Sequence, residues 1–472
     1  MIAQLLNRAV TVDNGRMIQS VLSQLVTDFD DPEVRAGVAA GLELEDLTAA
    51  LTMASESVER EERESSGQHG FEPDIAERRG AEVAPLDDFS FFSRDPVINN
   101  IQSAIEEWLE QNAILDENGP QDDRRSADEA PAVTDRIVKG IEPFRMPDGR
   151  RLFGPFEVPS DPRWAACLLA KGLRLFRKKH PFNPKPADAV RIADHARVLL
   201  VGDWGTGLPR ARKVADEMRA VLDEGKGKRE QHVIHLGDVY YSGWAREYKH
   251  RFLRHWPVLP EQAGEIGSWS LNGNHDMYSG GYGYYDELLA DSRFTRQQRS
   301  SLFQLQNSAW RIFGLDSAWK DDDLEDPQTE WLRAELEKPG GQAVLLSHHQ
   351  LFSAYDKAGK NLGEKLAVQL QKGQIRAWFW GHEHRCMTFK PAENLPYGRC
   401  LGHGGVPVYM NHDESEPCPA PGDYEYREYL DKGLERWALF GFAVLDFYGP
   451  TIHVRYINEN GREHKEEWVK ST

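Results

Sequence analysis

Five short polar segments in the middle of the chain carry side chains that bind metal ions. They combine Asp, Asn, His and Tyr, which are oxygen and nitrogen donors suited to hard and borderline cations. In four of the five, a glycine precedes the polar residue, where a chain leaving a strand must turn sharply. The segments are GDWG at 202–205, GDVYY at 237–241, GNHD at 273–276, SHH at 347–349 and GHEH at 381–384.

Each polar segment ends a short apolar run that predicts a buried β-strand. One such segment alone would usually be a turn or a helix cap. Five in succession, each at a strand end, make coincidence a poor explanation. The predicted strands lie at 196–203, 232–238, 269–276, 343–349 and 375–384, with a further strand at 311–317 and a closing hairpin within 441–458.

Helix-period patterns at 209–224 and 328–338 separate these strands. Strands that alternate with helices predict an α/β fold, a layered sandwich of β-sheets flanked by helices. Ligands of such sheets collect at the carboxyl ends of the strands. We therefore expect the five polar segments to meet at one point.

The order of the motifs resembles the signature of the calcineurin-like metallophosphoesterases. That signature reads D-x-G, G-D-x-x-Y, G-N-H-[DE], H and G-H-x-H, and the resemblance spans roughly residues 196–460. The Asp-x-Gly opening and the Tyr three residues after Asp238 are similar to the purple acid phosphatase branch. The resemblance implies a metallophosphoesterase sandwich that hydrolyses phosphate esters.

The resemblance also implies two metal ions, divalent or mixed-valence, drawn from Fe, Mn and Zn. Such a pair lies about 3.5–4 Å apart and supplies a hydroxide that attacks phosphorus in line. His275 is expected to contact the phosphoryl group or assist the leaving group. The implied ligands are Asp203, Tyr241 and His384 for the first metal, Asn274, His348 and His382 for the second, and Asp238 as the bridge.

The sequence departs from the family pattern at several positions. Gly205 stands where many members have a His ligand, so Tyr241 becomes the expected extra ligand, and its phenolate would favour ferric iron. Lys357 and Lys360 occur where purple acid phosphatases usually carry another His, which leaves the leaving-group acid open. The remaining polar candidates are read as a variable neighbour of the ligand (His349), a core histidine (His235) and a structural carboxylate (Asp316).

Three functions fit these residues. The first is hydrolysis of phosphomonoesters, with a phosphorylated small molecule or nucleotide as substrate. The second is a phosphodiesterase acting on cyclic nucleotides or nucleic acid, and Tyr282, Tyr284 and Tyr285 could either stack a base or only pack. The third is a non-catalytic scaffold with the same fold. The net charge of −19 argues against coating of nucleic acid, which depends on Lys and Arg.

The rest of the chain is less informative. We predict a mainly helical N-terminal region at 1–115, a linker and connecting helix at 116–195, and the metallophosphoesterase domain at 196–472. The N-terminal region could bind a protein partner, mediate self-association or simply shield the core. No apolar run of about 18 residues and no secretory signal is present, so we expect a cytoplasmic protein with no membrane contact. The four cysteines form no CxxC pair, so no zinc knuckle is predicted.

Overall fold

The computed structural model describes residues 179–471, with gaps at 208, 241, 407, 409, 411, 413–414 and 430–437. The helical region predicted at 1–115 therefore lies outside the described residues, as do 116–178 and Tyr241. From His180 onward, all but residues 278–280 belong to one compact unit. No helix in the described part of the chain has the length and apolar character needed to cross a bilayer.

The smaller of two β-sheets has six strands in the order β14-β13-β12-β2-β3-β4. Strands β2, β3 and β4 are parallel, and β12 pairs antiparallel with β2 at the other side. The strands are β2 (Arg197–Val201), β3 (Gln231–His235), β4 (Ile266–Ser270), β12 (Gly441–Tyr448), β13 (Thr451–Asn458) and β14 (Glu463–Lys470).

The larger sheet has eight strands in the order β1-β5-β6-β7-β8-β10-β9-β11. Its centre, β6 to β8, is parallel, as is the pairing of β8 with β10. The strands are β1 (Val190–Arg191), β5 (Phe303–Gln306), β6 (Trp310–Gly314), β7 (Gln342–Ser347), β8 (Ile375–Trp380), β9 (Cys386–Phe389), β10 (Tyr397–Leu401) and β11 (Gly422–Glu425).

The central strands are continuously apolar because both of their faces are covered. In β2, Val198 and Leu200 enter the core between the two sheets, whereas Leu199 and Val201 enter an outer core. Successive side chains of a strand point to opposite faces, so one run of four apolar residues serves two layers. The same alternation holds in β8. Phe379 enters the core between the sheets, whereas Trp378 and Trp380 enter a second outer core, on the far face of the larger sheet.

Helices cover the two outer faces. Helix α1 packs on the smaller sheet through Val214, Met218 and Leu222, which are spaced four residues apart on one face. Helices α4 and α5 cover the larger sheet in the same way. The helices are α1 (Pro209–Gly225), α2 (Ala245–Glu247), α3 (Asn274–Tyr278), α4 (Gln328–Glu337) and α5 (Lys360–Gln371), with π-helical turns at Tyr248–Leu253 and Gly283–Leu288 and 3-10 turns at Pro260–Gln262 and Ser292–Gln297.

The predicted fold class is confirmed: two mixed β-sheets are flanked by helices. The predicted third strand differs, because β4 ends at Ser270 and Asn274 begins helix α3. The chain turns there because the Asp276 carboxylate accepts a hydrogen bond from the Gly273 N–H at 2.6 Å. Strand β1 pairs with β5 and so belongs to the larger sheet. It precedes residue 196, the position at which we predict that the domain begins.

Candidate metal centre

The predicted site residues follow the carboxyl ends of five parallel strands. Asp203 and Asp238 come after β2 and β3 in the smaller sheet, and Asn274 opens helix α3 beyond β4. His348 directly follows β7 in the larger sheet, and His382 and His384 follow β8. The two sheets therefore contribute ligands from opposite sides of one edge of the sandwich.

The backbone at this edge adopts conformations that non-glycine residues rarely take. A left-handed conformation costs about 1–3 kcal/mol for such a residue and persists only where the surroundings impose it. Four of the nine described non-glycine residues with a positive φ are predicted ligands: Asp203 (56°), Asp238 (73°), His382 (70°) and His384 (49°). Four strained positions at the predicted ligands of one centre support this edge as a candidate functional site.

The glycines before the ligands serve two different purposes. Gly237 has a φ of +103°, which fits the sharp turn expected at such positions. Gly273 and Gly381 instead allow close approach. A Cβ atom at Gly273 would lie 2.0 Å from Asp238 Oδ1, and one at Gly381 would lie 2.5 Å from Asp203 Oδ2. Any larger residue there would displace a predicted ligand.

Three of the residues predicted for the first metal surround a tyrosine hydroxyl. The Tyr240 Oη atom lies 2.8 Å from Asp203 Oδ1, 3.1 Å from Asp238 Oδ2 and 2.9 Å from His384 Nε2. His384 Nε2 is itself 3.4 Å from Asp203 Oδ1. Burial, and next the charges of the two aspartates, raises the pKa of Tyr240 well above its usual value.

Sequence reasoning missed Tyr240. The motif spacing selected Tyr241, which lies outside the described residues. Both tyrosines belong to the segment GDVYY. Two adjacent tyrosines after Asp238 were the sequence feature that could have indicated Tyr240 as a second candidate. Tyr240 is 1% exposed and its ring centroid lies 4.7 Å from that of His275, so it forms part of the wall of the centre.

The residues predicted for the second metal are also close together. Asn274 Oδ1 lies 3.0 Å from His348 Nε2 and 3.0 Å from His382 Nδ1, and these two nitrogens are 3.3 Å apart. Asp238 Oδ2 lies 3.3 Å from His348 Nε2, so the predicted bridging carboxylate touches this group as well as the first. Asp203, Asp238 and His348 together form a metal-capable group, as do His348, His349 and His382.

The donor atoms fit a cation. His348 Nδ1 is 3.0 Å from the Leu236 carbonyl oxygen, and a proton on Nδ1 leaves Nε2 of the neutral ring as an acceptor. That nitrogen faces the oxygens of Asn274 and Asp238, which are also acceptors. Acceptors that converge in a buried space require either a proton or a positive ion between them.

The pKa shifts of His348 and Asp238 also indicate that a positive charge is needed between these groups. Burial alone would lower the pKa of His348, but the nearby charge of Asp238 raises it to about 9. Burial would likewise raise the pKa of Asp238, but the charges of His348 and His275 hold it well below its usual range. The pair therefore keeps one positive charge next to one carboxylate, and a bound metal ion could take the place of that proton.

Asp276, the last residue of GNHD, holds the ligand loops in place and was not predicted to do so. Its carboxylate accepts hydrogen bonds from the backbone N–H groups of Asp238 and Val239, each at 2.9 Å, and from that of Gly273. The Tyr248 hydroxyl donates a fourth at 2.6 Å. Burial, and then the charge of Asp238, raises the pKa of Asp276 to about 7.

His275 lies next to both groups of ligands. It is 5% exposed, its backbone N–H donates to Asp238 Oδ1 at 2.9 Å, and its Nε2 lies 4.0 Å from Asp238 Oδ2. The first of these contacts fixes the backbone on the bridging carboxylate. The imidazole is thereby placed beside the predicted metal positions without being counted among the ligands.

Other residues raised by the sequence have different positions. His235 packs against Phe252 in the core, and burial lowers its pKa to about 3. The hydroxyls of Tyr284 and Tyr285 bond to the Ser270 carbonyl and to Asp316, and both rings are fully buried, so these tyrosines pack rather than stack on a base. The Lys360 side chain is 82% exposed and pairs with Glu364 on its own helix.

Residues 196–386 match the family model of the calcineurin-like phosphoesterases. The matched region contains every residue predicted to bind metal, from Asp203 to His384. The calcineurin-like phosphoesterase fold implies binding of divalent metal, in agreement with the metal-capable groups of Asp and His described above. No curated protein sequence matches the chain.

The solved structures that match this chain share little sequence with it. GAP50, the anchor in the inner membrane complex of Plasmodium, is 11% identical, with a TM-score of 0.46, over 59% of this chain and 89% of that one. Vps29 of Chaetomium thermophilum is 12% identical, with a TM-score of 0.27, over 59% and 100%. A predicted phosphoesterase of Streptococcus pneumoniae is 12% identical, with a TM-score of 0.26, over 58% and 97%.

Proposed function

We propose that the calcineurin-like phosphoesterase region binds two metal ions and hydrolyses phosphomonoesters. The observation that carries this proposal is the convergence of six predicted ligands from five strand ends. Their neighbouring donor atoms lie 3.0–3.4 Å apart, and the Tyr240 hydroxyl lies 2.8 Å from Asp203 Oδ1. A scaffold that had lost its activity would have no need to maintain left-handed backbone at four ligand positions. The ions would be divalent or mixed-valence, of Fe, Mn or Zn.

The roles of the residues follow from their contacts. Asp203 and His384, with Tyr240 or Tyr241, would hold the first ion, and Asn274, His348 and His382 would hold the second. Asp238 contacts both groups and would bridge them. The bound ions would lower the pKa of a water nucleophile and offset negative charge on the phosphoryl oxygens.

The protein's own groups would orient the reaction. The His382 backbone N–H donates to Asp203 Oδ2 at 2.8 Å, which ties the loop after β8 to the loop after β2. Asp276 holds the loop after β3. With these loops fixed, His275 Nε2 would carry the proton that the leaving-group oxygen takes up as its bond to phosphorus breaks.

Monoesters are favoured over nucleic acid or cyclic nucleotides by two observations. Of the three tyrosines that could have stacked on a base, Tyr284 and Tyr285 are 0% and 2% exposed, and Tyr282 is half-buried with its ring edge-to-face on His180. The chain carries a net charge of −19, which repels a polyanion. A phosphorylated small molecule therefore fits better than a substrate recognised through its base, and a cytoplasmic location remains part of the proposal.

Metal analysis paired with two aryl esters tests the proposal. Purified full-length protein should contain about two metal ions per chain at the centre, and it should hydrolyse an aryl phosphate faster than the corresponding aryl phosphodiester. Faster cleavage of the diester would establish the alternative phosphodiesterase. Full metal content with no hydrolysis of either ester, across Fe, Mn and Zn, would establish a scaffold.

A further inference from the structure

A second cluster of metal-capable side chains lies where the two sheets meet. Cys386 opens β9 and His403 follows β10 in the larger sheet, whereas His464 belongs to β14 at the edge of the smaller sheet. One donor atom of each residue lies within 4.8 Å of the donor atoms of the other two. Cys386 is 1% exposed and His403 is 4% exposed, whereas His464 is half-buried.

Three of the four histidine nitrogens of this cluster lack a partner among the described residues. Both ring nitrogens of His403 and the Nε2 atom of His464 are buried and make no hydrogen bond to any described residue. A neutral imidazole carries one donor and one acceptor, and buried polar atoms are normally satisfied. Each neutral ring offers one lone pair, so His403 and His464 together present two free lone pairs beside the Cys386 thiol, and these point to a ligand that takes them up.

His464 is also held as a metal ligand should be. Its Nδ1 atom lies 2.9 Å from the Tyr424 hydroxyl, and its ring stacks on Tyr426 with centroids 3.6 Å apart. Metal-binding histidines commonly use the second ring nitrogen in such an orienting hydrogen bond. This contact leaves Nε2, the atom without a partner, as the available donor.

The donor set identifies the class of ion. One thiolate and two imidazoles suit zinc or a similar thiophilic divalent ion, whereas magnesium and calcium prefer oxygen ligands. Zinc binds at about 2.3 Å to sulfur and about 2.0 Å to nitrogen, so donor atoms that lie within 4.8 Å of one another could close around it with a small inward movement. Water would complete a tetrahedral arrangement.

We propose that Cys386, His403 and His464 bind one zinc-like ion that joins the edge strand β14 to the larger sheet. The ion would be separate from the candidate metal centre, whose predicted ligands include no sulfur. Its role would be structural, because metal binding by residues from distant segments favours the folded chain. This proposal does not depend on the phosphoesterase activity.

Cobalt distinguishes the two sites. Full-length protein freed of metal and reloaded with Co²⁺ should show thiolate-to-cobalt charge-transfer absorption in the near ultraviolet, which sites of oxygen and nitrogen cannot give. Cys386→Ser should abolish this band and lower the cobalt content by one ion per chain. The matched control is Cys400→Ser, because Cys400 is also buried but its Sγ contacts the Arg385 carbonyl oxygen and belongs to no histidine cluster.

Two outcomes would overturn the proposal. One is the absence of the band in fully loaded wild-type protein, and the other is its persistence in Cys386→Ser, which would assign it to another cysteine. If Cys386→Ser fails to fold by circular dichroism, His464→Gln decides, because His464 is only partly buried on an edge strand. That variant should lose one cobalt ion and weaken the band at least tenfold, and an unchanged band would refute the site.

Discussion

The two clusters of metal-capable residues differ in backbone as well as in ligands. In the candidate metal centre, four of the predicted ligands are held in left-handed conformations at the ends of parallel strands. In the second cluster, none of the three residues has a positive φ. They come from three separate strands or strand ends: Cys386 in β9, His403 after β10 and His464 in β14. Backbone strain is stored where geometry serves a reaction, whereas a structural ion needs only donors that can close around it. We infer that the first cluster is built for chemistry and the second for stability.

Removal of the predicted bridging carboxylate, Asp238, should have the largest effect on activity. We expect Asp238→Ala to lower hydrolysis of an aryl phosphate on the order of 10⁴-fold, the scale seen for members of one catalytic unit. Asp238 contacts both ligand groups, so both ions should be lost from the centre. Steady-state kinetics and elemental analysis measure the two effects.

The same variant tests whether the clusters are independent. The thiolate-to-cobalt band should persist in Asp238→Ala, because none of the three residues of the second cluster contacts that carboxylate among the described hydrogen bonds and ion pairs. Asp423→Ala, an exposed carboxylate on β11, is the matched control and should keep activity and metal. Normal turnover in Asp238→Ala would defeat the assignment of the centre.

A smaller effect separates metal binding from proton transfer within the centre. His275→Ala should lower kcat about 100-fold while both metal ions remain bound. The loss should be larger for an alkyl phosphate than for an aryl phosphate, since the poorer leaving group depends more on a proton donor. Rates for the two esters, compared with metal content, measure this. Equal losses for both esters, accompanied by loss of metal, would make His275 a support of the ligands instead.

The sequence predicts the first cluster because its ligands follow a repeated local pattern. A buried apolar run, a glycine and a polar residue recur at the ends of β2, β3 and β8, and parallel strands bring such ends together. The short turn into α3 was not predicted, because it depends on the contact between Asp276 and the Gly273 N–H. That contact becomes visible only in three dimensions.

The second cluster could not be predicted from the sequence. Cys386, His403 and His464 share no motif spacing. His464 meets the other two because β14 contacts the larger sheet, where its Nδ1 lies 2.9 Å from the Tyr424 hydroxyl of β11. From the sequence we predicted no zinc knuckle, because the four cysteines form no CxxC pair. Ligands contributed by separate sheets leave no local signal.

Substitution of Tyr240 or Tyr241 by Phe should have the smallest effect on metal binding. The Tyr240 hydroxyl lies within 3.1 Å of three predicted ligands of the first ion, so a cation placed among Asp203, Asp238 and His384 would contact it. Tyr240→Phe should therefore weaken metal binding at that position about tenfold. If ferric iron is bound, the visible phenolate-to-iron absorption should vanish in Tyr240→Phe and persist in the matched variant Tyr241→Phe. The reverse result would return the role to Tyr241, as the motif spacing predicts, and would leave Tyr240 as a hydrogen-bond donor that orients the two aspartates.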